Sequence, residues 1–162
     1  MKGKTITATT TRLSIIVYIV AALMLSTAVI YFVVASQSYS ELSKITSQST
    51  IDKDALSEIM GITNELIFFT IVGIAYILVG FWMIKRKYHS KIPYIVAIGG
   101  SAALIVFYIA TRTVSLPTIG LESDIGIIDT VSKILQGAII VASLFVLRLS
   151  KRLVSIDKMK QN

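Results

Sequence analysis

From Leu13 to Ala35 the chain runs 23 residues without a charged side chain. At about 1.5 Å rise per residue, a helix of that length crosses the ~30 Å hydrocarbon core of a bilayer. Two further runs meet the same condition, Leu66–Ile84 and Ile92–Ala110. A fourth is less clean, because only Ile134–Leu147, 14 residues, is free of charge, and that is too short to span. It must begin near Ile127 and take Asp129 and Lys133 into its outer turns, where the lysine stem lies along apolar surface and lifts its ammonium toward the headgroups. Spans are therefore expected at about 13–35, 66–84, 92–110 and 127–147. Within hydrocarbon every backbone amide must be bonded inside its own segment, so each span is expected to be helical. The fold class that follows is all-α: an integral membrane four-helix bundle, one membrane domain over 1–162, with an outer helical extension between helices 1 and 2.

Composition agrees. Hydrophobic residues are 54% and charged residues 15%, too little polar surface for a soluble domain of this size. The absence of cysteine excludes disulfides, thiolate nucleophiles and thiolate-held clusters. Lys2, Lys4 and Arg12 precede the first run as they would in a secretory leader, but that run is longer than the 7–15 residues of a leader's apolar core. It is expected to be a retained helix.

Orientation follows from the basic residues. The N-terminal tail, the 85–91 loop and the C-terminal tail carry 12 of the 16, against the single acid Asp157. The other side carries Lys44, Lys53, Arg112 and Lys133 with the remaining eight acids. Both termini are thus expected in the cytoplasm of a cell whose plasma membrane the chain crosses, with the basic side on anionic lipid. The net charge of +7 serves orientation and lipid contact and not nucleic acid.

Between the first two spans, Ser49-Thr50 ahead of Asp52 and Asp54 reads as a helix start, and Ala55, Leu56, Ile59 and Met60 keep helical spacing. The segment is expected to be a helical hairpin that extends the two spans, with Gly61 as its weak point; a docking surface for another subunit is the alternative. The short 85–91 loop makes spans two and three antiparallel neighbours. Gly99/Ala103, Ala138/Ala142 and, more weakly, Gly73/Gly80 are small-residue pairs that permit close helix approach in lipid.

Polar chemistry gathers at one place. Arg112 ends the third span, Pro117 and Gly120 punctuate a loop, Glu122 and Asp124 follow, and Asp129 and Lys133 stand one turn apart on the fourth helix. The expected role is an ion-pair latch of Arg112, Glu122, Asp124, Asp129 and Lys133 that ties helix three to helix four. The alternative is a polar site for an ion, a headgroup or a partner's charge. No catalytic or cofactor motif is present, and the single histidine, His89, lies among Lys85, Arg86, Lys87 and Lys91, which oppose a cation; no metal, cofactor or catalytic residue is expected. The hydroxyls within the spans are expected to bond backbone carbonyls. No acid or histidine falls at mid-span, which weighs against a pump.

Thr111-Arg112-Thr113, Leu116-Pro117, Gly120 and Glu122, then Asp129, Ser132-Lys133 and Gln136, resemble a motif of small uncharacterised four-span membrane proteins of archaea and actinobacteria. Many of those have Glu where this chain has Gln136, a departure that weakens any proton-carrying role the resemblance implies. The cysteine-free, Ile-, Lys- and Ser-rich style is also similar to membrane proteins of ammonia-oxidising archaea, whose membrane-bound monooxygenase has small accessory subunits. What the resemblance implies is a non-catalytic accessory subunit whose partners are other membrane subunits and lipid. The alternative is a small carrier or channel for an ion or neutral solute, with Arg112 and its acids as a vestibule.

The topology is directly testable, because any introduced cysteine is unique. A membrane-impermeant thiol reagent on intact cells is expected to label Ser47→Cys and spare Ser90→Cys; the reverse pattern would invert the orientation.

Overall fold

The computed structural model describes residues 2–47, 53–113 and 126–161. Four helices make up almost all of them: α1 Lys2–Thr46, α2 Lys53–Arg86, α3 Ile92–Thr113 and α4 Ile127–Gln161. All four are long and apolar enough to cross a membrane, and the chain is a multi-pass membrane protein. The extension expected between helices 1 and 2 forms as continuations of the spans. α1 runs unbroken past Ala35 to Thr46, and α2 starts at Lys53 and passes Gly61 without interruption. The expected cap at Ser49-Thr50 lies outside the described residues.

α1 is the hub. Its buried residues include Leu13, Val17, Val20, Met24, Ala28, Tyr31, Ala35 and Ser38, which recur at steps of four and three. That 3.5-residue repeat keeps one seam of a helix facing its neighbours in a left-handed bundle. α2 lies along most of the α1 seam and α4 along the rest, while α3 packs on α4. The α1–α2 contact is close because α2 offers glycine. A Cβ on Gly80 would meet the Met24 Cβ at 3.6 Å and the Ala21 carbonyl at 3.7 Å, and one on Gly73 would press the Phe32 ring at 3.2 Å.

At the proximal end, where α1 starts and α4 finishes, a single 3-10 turn at Lys87–His89 joins α2 to α3. Lys87 has φ 44°, in the left-handed region that side chains other than glycine rarely adopt. The turn is anchored on both sides: the Tyr94 hydroxyl donates to the Lys87 carbonyl at 2.8 Å, and the Lys87 ammonium lies 5.8 Å over the Tyr18 ring of α1. Pro93 falls in the first turn of α3, where its missing N–H is harmless.

Near mid-membrane a polar layer crosses the bundle. Tyr76 stands 11 residues after Glu65 and 10 before Arg86; Ser101 stands 10 after Lys91 and 11 before Arg112. Their hydroxyls are 2.9 Å apart and join α2 to α3. Gln136 of α4, fully buried, donates its amide N–H to the Tyr31 hydroxyl of α1. The Tyr31 ring stacks on Phe69 at 5.5 Å and lies 5.8 Å from the Tyr76 ring. Thr27, Thr63 and Thr70 do bond carbonyls one turn back, as expected of hydroxyls in lipid. Tyr31, Tyr76 and Ser101 instead pair side chain to side chain, so for them that expectation is corrected.

Two packing expectations also change. α2 and α3 are joined by the tight turn, yet they make the sparsest contact among the packed helix pairs. Bulky side chains hold them apart: the Phe68 and Phe107 rings meet at 5.4 Å across the gap. The Gly99/Ala103 pair does not pack within the chain. Both residues are exposed, and a Cβ on Gly99 or Gly100 would meet nothing within 4 Å.

An interhelical hydrogen bond in a membrane is worth roughly 0.6–2 kcal/mol, but stranding one partner costs about 1–3 kcal/mol. Tyr31→Phe, which leaves the Gln136 amide unsatisfied, is expected to destabilise the detergent-solubilised chain by about 1–3 kcal/mol. Adding Gln136→Leu removes the stranded group and should recover much of the loss. Unfolding curves in which the two substitutions simply add would show the pair to be uncoupled.

Candidate ligand cavity at the distal end

Above the Tyr31–Gln136 layer the helices part, and all four line a cavity of about 1020 Å³ in the distal half of the bundle. The described residues arrange it in tiers. Ile30, Tyr31, Phe69 and Leu104 form its inner end, one helical turn from the polar layer. Phe68, Phe107, Tyr108, Ser132 and Lys133 make the middle. Thr111, Asp129 and Glu65 stand above them, and Glu58, Gly61 and Ile127 form the mouth. The widening follows from residue size: glycine and alanine bring α1 and α2 together near Gly80, while phenylalanines keep α2 and α3 apart here.

The charges are ordered. Arg112 Nη2 donates to Asp129 Oδ2 at 3.0 Å, with the arginine side chain 14% exposed and the aspartate 37%. This joins the last turn of α3 to the first turn of α4. The Tyr108 ring lies 5.1 Å from the Arg112 guanidinium and 4.7 Å from the Lys133 ammonium, within the range of a cation–π contact for both. Lys133 is half-buried and, among the described residues, forms no ion pair.

The structure thus brings together Arg112, Asp129 and Lys133 of the five residues expected to form the latch. Glu122 and Asp124 lie outside the described residues. Lys133 was expected to reach headgroups; its ammonium instead rests on Tyr108 beside the cavity. Tyr108 was the residue that sequence reasoning passed over. Its spacing was the available signal, since it precedes Arg112 by four residues on one helix face. Glu58 and Glu65 were read only as outer acids of the hairpin, and both line the cavity. His89 is exposed in the turn at the opposite end, remote from this cluster.

Chemically, the inner half of the cavity offers two hydrogen-bond donors to whatever enters. One is the Lys133 ammonium. The other is the Tyr31 hydroxyl, which accepts from Gln136 and keeps its own proton. Ser132 and Thr111 spend theirs on the carbonyls of Asp129 and Tyr108. The other walls of the inner half are aromatic and aliphatic, while Gln37, Glu58, Asn64 and Glu65 make the outer half polar. A large apolar cavity with a few converging polar groups is the usual form of a small-molecule site.

Comparison of the chain with protein families, curated proteins and solved structures finds no match.

A partly shielded arginine–carboxylate pair is worth more than the ~0–1 kcal/mol of a surface pair. Because Asp129 keeps about a third of its exposure, Arg112→Ala is expected to destabilise the fold by about 1–3 kcal/mol, below the full penalty of a deeply buried pair. Lys44→Ala, on the exposed face of α1, should leave unfolding unchanged. Equal shifts for the two variants would show that the latch contributes nothing.

Proposed function

We propose that the protein is a non-catalytic subunit of a larger membrane assembly and that its third helix docks a transmembrane helix of a partner. The observation that carries this is the contrast between its glycines. Gly73 and Gly80 face α1 and are filled by it, whereas Gly99, Gly100 and Ala103 face away from the bundle with open space beyond them. Small residues on a lipid-facing surface gain little from lipid, because flexible acyl chains fill such a groove poorly. Against another helix they permit close backbone approach and dense packing. In this reading the distal end lies outside the cell membrane and the basic proximal end inside it. The cysteine-free, Ile-, Lys- and Ser-rich style, similar to that of membrane proteins of ammonia-oxidising archaea, makes an archaeal monooxygenase-type complex the first assembly to examine.

A carrier or channel has less support. The cavity ends at the Tyr31–Gln136 layer, and below it Leu13, Val17, Val20, Met24, Met83, Ile139 and Val146 form a packed apolar interior. Of the fully buried polar groups described there, Thr27 is bonded to the Leu23 carbonyl and Ser143 has no hydrogen-bond partner, which gives a polar path little support among the described residues.

The test is Gly99→Leu with Ala103→Leu in the tagged full-length chain purified from its native membrane. Gly99 and Ala103 are both exposed and a Cβ on Gly99 meets nothing within 4 Å, so the chain's thermal unfolding in detergent should not move. Recovery of co-purifying subunits is expected to fall about tenfold, the loss of some 1.4 kcal/mol of association. Unchanged recovery of the same subunits, or a chain that purifies alone before mutation, would overturn the docking reading.

A further inference from the structure

We infer that the distal cavity is a binding site for a membrane amphiphile with an oxyanion head, a carboxylate or a phosphate, whose charge is met by Lys133 and whose tail lies among Phe68, Leu104 and Phe107. The inference goes beyond the docking role and does not depend on it, since it concerns the interior of the bundle and not the outer face of α3.

Charge, depth and shape support it together. Arg112 and Lys133 share the Tyr108 ring, and Asp129 is bonded to Arg112. Asp129 stands one turn from Lys133 as well, so in this cluster one carboxylate serves two cations and the three charges sum to +1. A cation at such depth is expensive unless it is solvated, paired or set against polarizable groups. The Tyr108 face, worth roughly 0.5–2 kcal/mol, and a carboxylate already bonded to Arg112 compensate the ammonium only in part, so an arriving oxyanion gains a strong charge-assisted contact in a medium that screens poorly. The Tyr31 hydroxyl, on the floor of the same cavity, supplies a second donor to the same head.

The walls select the rest of the molecule. Phe68, Phe107 and Leu104 are apolar and lie on the two helices that make the sparsest contact, so a tail seated there continues into lipid between α2 and α3. About 1020 Å³ accommodates a head with a long alkyl or isoprenoid tail, and is far more than an ion or small solute fills. The acids restrict the route. Glu58 is exposed at the mouth and Glu65, engaged within the chain, stands beneath it, so an anion approaching from water meets like charge. Lateral entry from the bilayer between α2 and α3 avoids both. The site therefore excludes soluble anions and admits those that carry a tail.

A diazirine-bearing long-chain carboxylate and the matched alcohol serve as probes, each photolysed with the full-length protein in nanodiscs of neutral lipid. The carboxylate is expected to label the 92–112 peptide of α3 about tenfold more than the alcohol. Lys133→Met should reduce carboxylate labelling to the alcohol's level, leaving the alcohol unchanged, while Lys133→Arg should retain the preference. Retention by Lys133→Arg and unchanged helical content separate loss of the counter-charge from loss of the fold. Competition identifies the source of the head: displacement by unlabelled fatty acid but not by a dialkyl phosphate marks a free carboxylate, and the converse marks a phospholipid. Equal labelling by the two probes in the unmutated chain, or a carboxylate preference that survives Lys133→Met, would overturn the inference.

Discussion

The side-chain amide of Gln136 is closed from solvent near the middle of the membrane, and the Tyr31 hydroxyl is the group it bonds. In hydrocarbon a polar group of this size cannot be left to water, so the bond fixes how α4 must slide and rotate against α1. Tyr31 is then held in place by Phe69 and Tyr76 of α2, and Tyr76 by Ser101 of α3. Each helix contributes one member to this layer. Lipid and protein interior are equally apolar, so greasy surface alone gives one helix rotation little advantage over another. The polar layer supplies the missing specificity, and the glycine contacts between α1 and α2 close around it.

The layer also divides the bundle. On its proximal side Met24, Met83, Ile139 and Tyr94 fill the interior, and the 3-10 turn is fastened by the Tyr94 and Lys87 contacts. On its distal side the aromatic side chains of α2 and α3 prop the helices open, and the ends of α3 and α4 are drawn together by Arg112 and Asp129. A tight half and an open half on either side of one plane suit a protein that holds something and does not pass it through. The ion pair has a structural consequence here: it joins the first turn of α4, which carries the cavity's upper wall, to the last turn of α3.

How much of this was legible in the sequence depends on whether a residue type has more than one good place in a membrane. Charged residues have few, so the presence of four spans could be read from spacing alone, and Asp129 was among the three acids expected to meet Arg112. Apolar residues have two, core and lipid, of nearly equal free energy. Val17 and Ile19 differ completely in burial and not at all in what a sequence reveals about them. Glycine shares that ambiguity: Gly80 packs against a helix and Gly100 against nothing in this chain, though both sit in long apolar runs. The tyrosines were misread for a related reason. A hydroxyl in a helix ordinarily turns back to its own backbone, as Thr27 does, but a tyrosine hydroxyl is held too far from its helix for that bond and must find a partner across the bundle. Span-bearing tyrosines are thus better pointers to the interior than serines or threonines of the same depth.

That reasoning bears on the two cations at Tyr108. Arginine presents a planar fork of donors that can hold a carboxylate while its face lies on a ring, and Arg112 does both. Lysine has a compact charge on a flexible stem, and Lys133 uses the ring without an ion pair among the described residues. The pair of helices needs only the arginine to be joined. A second cation one turn further in adds repulsion against Arg112 and a desolvation penalty of its own, offset in part by Asp129 and the Tyr108 ring. The inferred oxyanion is what would complete that compensation, so the stability argument and the ligand argument meet at Lys133.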